Sequence, residues 1–334
     1  MGITIKDVAK DTKLAMSTIS KYMNGGNVRP KNRIIIEEAI ERLGYQPNQF
    51  ARSLRTSKTY TVGILLPALS DPFSVKIVNV IEQKLMKNGY LPLLCCHRNK
   101  YENVVEAVSF LLDKGVDGII LDPAPTEKDY IKPIVDAKIP LVVIDSALDN
   151  YSLDYVMVNN TKGVYEAVED LVLKGHKKIA IFTGMKGLST SDERLKGYIR
   201  VLEDYNLKMN KKYIVDGDYS YEGGYNAIRQ IWSMNDRPTA VFVCNYQMCL
   251  GAVKASHDLN IIIPEELSLA TFDDMDISIV TNPKLTSVGQ PLDEIGKAAS
   301  KLILKRMNGD NTDFPKFIRL KTTLVSRESV SKIN

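Results

Sequence analysis

From Thr61 onward the chain alternates short, wholly apolar runs with stretches long enough for a helix, and this alternation constrains the fold more than any other feature. The runs are Val62-Gly63-Ile64-Leu65-Leu66, Leu91-Pro92-Leu93-Leu94, Gly118-Ile119-Ile120-Leu121, Leu141-Val142-Val143-Ile144, Lys178-Ile179-Ala180-Ile181-Phe182, Ala240-Val241-Phe242-Val243 and Leu267-Ser268-Leu269-Ala270. A strand apolar on both faces is covered on both faces, which means a parallel sheet wrapped by helices. About 270 residues of this pattern exceed one comfortable sheet, so two doubly wound lobes with a ligand cleft between them are expected.

Ligands of open parallel sheets bind beyond the carboxyl ends of the strands. The residues that follow the runs include Asp145 after Ile144, Asn245 after Cys244 and Asp273 after Phe272. Each alone suits a helix cap. Two carboxylates and an amide together at equivalent strand ends suit a polyhydroxylated ligand, because they supply acceptors and one mixed donor-acceptor. Cys95, Cys96, Cys244 and Cys249 lie within apolar stretches, and His97, His176 and His257 are scattered. Buried reduced thiols are expected, with no metal and no cofactor.

The first sixty residues differ in charge from the rest. They hold eleven basic and five acidic side chains, a balance of +6, within a chain whose net charge is +4, so the remainder carries −2. Basic charge gathered at one end marks a polyanionic partner. Thr4-Ile5-Lys6-Asp7 has the form of a helix start, with a hydroxyl at the cap and an acid three residues on. A break at Thr12-Lys13-Leu14 precedes a second helix-like segment, Met16 to Met23, in which Ile19, Tyr22 and Met23 form an inward stripe while Ser17 and Lys21 share the outward face. A third segment begins near Pro30, carries Ile34, Ile35, Ile36, Ala39, Ile40 and Leu43, and stops at Gly44. This is helix-turn-helix organisation, in which the second helix enters the major groove by its N-terminal end. Met16 is then placed for apolar contact with a base, Ser17 for donor or acceptor contact, and Lys21 for guanine.

The ordered set Thr4-Ile5-Lys6-Asp7-Val8-Ala9, Ser17-Thr18-Ile19-Ser20-Lys21, Asn24, Leu43-Gly44-Tyr45-Gln46-Pro47-Asn48 and Ala51-Arg52-Ser53-Leu54 resembles the head of the lactose/galactose repressor family, and the likeness continues at lower density through nearly the whole chain. Ala15 and Arg29 depart from it by standing where capping residues are usual, and a missing cap costs about 1 kcal/mol. The resemblance implies DNA contacts by Thr4, Met16, Ser17, Thr18, Ser20, Lys21, Asn24, Tyr45, Asn48, Ala51, Leu54 and Arg55. It makes the segment after Pro47, too short to be a stable helix alone, a hinge helix whose Leu54 wedges into the minor groove. In the core it implies a periplasmic-binding-protein-like fold with effector contacts by Phe73, Asp145, Thr190, Arg194, Tyr219, Asn245, Asp273 and Gln290. Asp71-Pro72 matches the loop over the first lobe, Asp218 the acid before the pocket aromatic, and Asp274 a further pocket position. Tyr246 stands where the family commonly has aspartate.

The expected architecture is therefore a small all-α helix-turn-helix head plus an α/β core of two doubly wound parallel-sheet lobes. The head spans residues 1–46, the hinge helix and linker 47–60, and the effector-binding and dimerisation core 61–334. The expected function is a repressor whose affinity for a pseudo-palindromic, double-stranded operator is controlled by a sugar-like small molecule. It would act as a homodimer in the cytoplasm, because neither a signal segment nor a membrane span is evident. No catalytic serine elbow, metal-spaced histidine cluster or phosphate loop is present, so no enzyme is expected. The alternatives are a solute-binding protein of a transport system, which a basic head argues against, and a regulator controlled by a phosphocarrier protein.

Overall fold

A computed structural model describes residues 3–23, 26–45, 58–148 and 151–333. The chain divides into two compact units, residues 1–60 and 61–334. Among the described residues no helix is long and apolar enough to cross a membrane.

The first unit holds α1 (Ile5–Thr12), α2 (Met16–Met23) and α3 (Pro30–Leu43). Asp7 closes the start of α1 by accepting hydrogen bonds from the Thr4 amide (2.8 Å) and hydroxyl (2.7 Å), and these bonds hold its carboxyl below the usual range. Lys13 turns the chain out of α1 in the left-handed conformation (φ 54°). The core is small: Val8, Ile19, Ile36 and Ala39 are buried, with Tyr22, Met23, Leu43 and Tyr45 packed against them. Ile34, one of the expected apolar positions, is instead exposed, because a helix cannot turn three consecutive residues to one face. Arg29 precedes α3 without a side-chain cap, and Pro30 supplies the first helical position.

The second unit contains two six-stranded sheets. The first comprises β1 (Thr61–Leu66), β2 (Leu91–Cys96), β3 (Gly118–Leu121), β4 (Leu141–Ile144), β5 (Asp154–Val158) and β11 (Phe317–Leu320), in the order β11-β5-β4-β3-β1-β2. The second comprises β6 (Ile179–Thr183), β7 (Ile214–Asp216), β8 (Ala240–Val243), β9 (Ser268–Phe272), β10 (Thr286–Gly289) and β12 (Thr323–Val325), in the order β12-β10-β9-β8-β6-β7. All pairings are parallel except β10 with β12. The expectation of purely parallel sheets thus holds except at this edge, where the chain returns from the first lobe only two residues after β11. In each sheet the strand order reverses at one place, between β1 and β3 and between β6 and β8, and the crevices open there.

Helices cover both sheets. In the first lobe α4 (Pro72–Lys87) packs against α12 (Leu292–Met307), while α5 (Tyr101–Asp113) and α6 (Ile131–Asp136) supply core side chains. In the second, α7 (Asn160–Leu173) pairs with α8 (Ser189–Asp204), and α9 (Tyr221–Trp232) with α10 (Tyr246–Asp258); α11 (Ile277–Val280) is a single turn. The central strands β3, β4, β8 and β9 are buried throughout. The apolar run in β2 is not, since as an edge strand it leaves Leu91 and Leu94 exposed.

Three segments link the lobes: Asn159, Gln290–Pro291 and Lys321–Thr322. The last helix before the final crossing is fixed by a buried ion pair. Arg306 on α12 donates from Nε (2.7 Å) and Nη2 (3.0 Å) to the fully buried Asp154 of β5, which also accepts from the Lys316 amide beside β11 (2.7 Å). Removing one partner strands a buried charge, which costs about 3–5 kcal/mol, whereas replacing both with apolar groups is often near neutral. Asp154→Ala is therefore expected to lower unfolding free energy by about 3–5 kcal/mol in urea denaturation, with most of the loss recovered on adding Arg306→Met.

Candidate functional site

A cavity of about 420 Å³ lies between the lobes at the carboxyl ends of the strands, within the usual range for small-molecule sites. Phe73, Asp145, Thr190, Arg194, Tyr219, Asn245, Asp273 and Gln290, all expected from the sequence, line it. Asp71 lines it as well, where the sequence marked only a loop. Asp122, not among the expected residues, also lines it and lies directly after β3, where the strand-end rule applies.

Each group reaches the cavity for a local reason. Thr190 and Arg194 are four apart on α8 and so share one face of it. The buried Arg194 guanidinium donates from Nε to Asn160 Oδ1 (2.9 Å) and from Nη1 to the Cys244 carbonyl. Its Cζ lies over the Phe272 ring, 3.8 Å from the ring centre, and 5.7 Å from that of Tyr219, a cation–π contact in which arginine and lysine are not interchangeable. Asp273 follows Phe272 and accepts from the Tyr246 amide (3.1 Å) and from Gln290 Nε2 (2.7 Å). Asn245 caps α10 by accepting from the Met248 amide (3.1 Å) and donates to the Tyr219 carbonyl (3.1 Å), so its amide is both cap and pocket wall. Tyr246 offers its amide to Asp273, and its side chain does not line the cavity.

Backbone strain concentrates here. Asp145 (φ 64°), Tyr219 (φ 60°) and Asp273 (φ 76°) all adopt the left-handed region, which a bulky aromatic seldom enters. Tyr219 is held there by close packing on Gly184, where a Cβ would come within 2.0 Å of the Tyr219 ring. The Tyr219 hydroxyl and the neighbouring Thr190 and Ser191 hydroxyls have no hydrogen-bond partner among the described residues, nor does Gln290 Oε1. Such groups are costly when left dry.

The first lobe supplies three of the cavity's acids. Burial, then the neighbouring Asp273 and Asp145 carboxylates, push Asp71 up to about 6. Burial also raises Asp145 to about 6, against an opposing pull from Arg194, and Asp122 is driven well above the carboxylate range by burial and then by Asp145 and Asp71. The loop beside them is set by His97, whose Nδ1 accepts from the Asn99 amide (3.0 Å), leaving Nε2 to donate to the Asp122 carbonyl (3.0 Å). Burial pushes His97 down to about 4, so it is neutral. Asp274 and Asp218, matched to pocket positions by the resemblance, do not line the cavity. Asp274 is bound by Arg327 (2.7 and 3.0 Å) and Ser287 (2.7 Å), and Asp218 accepts from the Ser220 amide (3.0 Å).

The lobes also touch directly. Ser146 Oγ accepts from the Ser189 amide (2.9 Å), Ser189 Oγ accepts from the Ala147 amide (2.8 Å), and Arg319 pairs with Glu193 (2.9 Å). The cleft is thus bridged beside the cavity.

In the other unit, Thr4, Met16, Ser17 and Lys21 are exposed and Thr18 and Ser20 half-buried. Tyr45 packs against the small core. Arg33 and Arg42 are paired with Glu37 and Asp11, whereas Lys6, Lys10, Lys13, Lys21, Arg29 and Lys31 form no ion pair among the described residues. Asn24, Asn48, Ala51, Leu54 and Arg55, together with most of the expected hinge, lie outside the described residues.

A three-helix head with a free basic face and a two-lobed core around a polar cavity define a ligand-responsive DNA-binding regulator. A family model for bacterial regulatory proteins of the lacI family matches residues 4–48, and one for a periplasmic binding protein-like domain matches residues 168–330. Catabolite control protein A of Priestia megaterium is 33% identical over 315 residues, covering 94% of this chain and 95% of that protein. The ribose operon repressor of Haemophilus influenzae is 31% identical over 330 residues, 98% of each. Among solved structures, a complex of the transcriptional regulator CelR with cellobiose superposes with a TM-score of 0.76 at 26% identity, covering 98% of this chain and 99% of that one. The lac repressor bound to ONPG in its repressed state gives 0.85 at 25% identity, covering 98% and 100%. The chain belongs to the lacI family of bacterial regulatory proteins.

Crowded, buried carboxylates make a testable cost. Asp71 has a folded pKa above its unfolded one, so the folded state is penalised when it ionises: the penalty is absent below about pH 4 and grows as pH rises through about 6. Asp71→Asn keeps the side-chain acceptor of the helix cap. It is expected to stabilise the protein by about 1–2 kcal/mol at pH 7.5, with the gain fading near pH 4, as read by thermal or urea unfolding across that range.

Proposed function

We propose that this protein is a homodimeric, cytoplasmic, non-enzymatic repressor, in which residues 1–46 read an operator, 47–60 form the hinge and 61–334 hold the effector and the dimer contacts. The observation that carries the reading is the convergence of Thr190, Arg194, Tyr219 and Gln290 from one lobe and its crossing segment with Asp71, Asp122 and Asp145 from the other on one cavity. A ligand held by both lobes favours one lobe arrangement, and it can alter DNA binding only by this difference in affinity between states. Sugar-bound relatives such as the cellobiose complex agree with the stacking and acceptor chemistry of this pocket. For DNA, Met16, Ser17 and Lys21 on the exposed start and outer face of α2 are assigned to base edges, with Thr4, Thr18, Ser20, Asn24, Tyr45, Asn48 and Ala51 in supporting contacts. Leu54 and Arg55 are assigned to the minor groove at the centre of the site.

The dimer is supported by exposed apolar side chains gathered on particular elements: Leu91 and Leu94 on β2, Val105 and Phe110 on α5, and Ile279 and Val280 on α11. Large apolar side chains left in water favour association. Phe110→Asp together with Val280→Asp is expected to shift the protein toward monomer in sedimentation, and an unchanged dimer would place the interface elsewhere.

Two further measurements address the reading itself. Lys21→Ala should weaken operator binding by about 1–3 kcal/mol and relax specificity at one symmetric base pair; equal loss on all sequences would make Lys21 a phosphate contact. Arg194→Ala and Asp273→Ala should fold, dimerise and bind operator yet lose the effector's influence on DNA affinity, measured by fluorescence anisotropy with and without ligand. A full response in both variants would remove the cavity from the mechanism.

A further inference from the structure

The cavity gathers more acidic groups than a neutral polyol requires. Asp71, Asp122, Asp145, Asp273 and the more exposed Glu222 line it against a single cationic side chain, Arg194. Two of these acids already have protein donors: Asp273 is held by Tyr246 and Gln290, and Asp71 accepts from the Phe73 amide (3.3 Å). The carboxylates of Asp122 and Asp145 accept no hydrogen bond from the described residues, although Asp122 is only 6% exposed. Arg194 donates no hydrogen bond to either, its Nε and Nη1 being committed to Asn160 and Cys244, although its charge still pulls on Asp145. An independent sign of a missing partner is Gln290 Oε1, buried and unbonded on the cavity wall.

We propose that the ligand of this cleft is a polyhydroxylated molecule bearing a protonated primary amine, an amino sugar in chemical class, with its ammonium on Asp122 and Asp145 and its hydroxyls toward Thr190, Arg194 and Asp273. The inference rests on the reading of the cavity as the effector site. An ammonium has three donors and no acceptor, so it matches unbonded carboxylates and gains charge-assisted bonds about twice as strong as those a hydroxyl would give. It also reverses what now disfavours these acids, namely burial and mutual repulsion, both of which act on Asp122 and Asp145. Anionic ligands such as sugar phosphates meet five acids and one engaged arginine. A metal ion is not the counter-charge, because no group of three or more His, Cys, Asp or Glu side chains among the described residues is placed to hold one. The aromatic walls, Phe73 and Tyr219, suit the apolar face of a ring.

The test uses the full-length protein and matched sets of monosaccharides in the gluco, galacto and manno series, each with a hydroxyl, an amine or an acetamide on carbon 2. Affinities are read by calorimetry at pH 6.5. The expected result is that in at least one series the amine binds about tenfold or more tighter than the hydroxyl sugar, that acetylation abolishes the preference, and that Asp122→Asn and Asp145→Asn each reduce it to within about threefold. If the hydroxyl sugars bind as well as the amines, or the preference survives both substitutions, the inference is overturned while the effector site stands. If no sugar of any set binds, both the inference and the sugar-site reading fall.

Discussion

The constraint on which the rest of this structure depends is that the central strands of both sheets are buried on both faces, so polar chemistry is confined to their ends. Within β3, β4, β8 and β9 the side chains are almost wholly excluded from solvent. Directly beyond them come Asp122, Asp145, the Cys244 carbonyl with Asn245, and Asp273. Because both sheets have the same order about a reversal point, the two sets of strand ends face one cleft. The first lobe contributes mostly acceptors, and the second contributes a stacked guanidinium, hydroxyls, amides and the Asp273 carboxyl. Three crossings join them, and each lies within a residue or two of a strand end. A change at the cavity is therefore also a change at the lobe junction.

The site is assembled at some cost to stability. Left-handed backbone at Asp145, Tyr219 and Asp273, unbonded buried hydroxyls at Thr190 and Ser191, and acids that repel one another are all unfavourable without a ligand. The surrounding layers tolerate them because their own packing is dense, and because charged groups away from the cleft are paired closely, as Arg306 is with Asp154 and Arg327 with Asp274. Unsatisfied groups that gather on one cavity, as those of Tyr219 and Gln290 do, indicate where a partner belongs.

Much of this was legible in the sequence for a physical reason. Wholly apolar runs in central strands, such as Leu141–Ile144, are buried on both faces, and Asp145, directly after that run, is then at the cleft. Strands with mixed character were not legible: β5 begins with the charged Asp154, whose partner Arg306 lies 152 residues away, and β12 pairs with β10 only through a distant return of the chain. Asp122 was available to the same rule that found Asp145 and Asp273, whereas Asp71 resembled an ordinary helix cap, which it also is. Asp274 was misplaced because adjacent residues after a strand point in opposite directions, and Arg327, far along the chain, claims it. The excess of acid in the cavity emerged only when residues from three strands and a helix start were brought together.

Effector and operator must act on each other equally if the cleft governs DNA binding, since coupling between two binding sites is reciprocal. The decisive measurement is the affinity of one effector for the free dimer and for the operator-bound dimer, set beside the affinity of the operator with and without that effector. The account predicts two ratios of the same size and sense, both lost in Arg194→Ala. An effector that binds the cavity with the same affinity whether or not operator is present would contradict it.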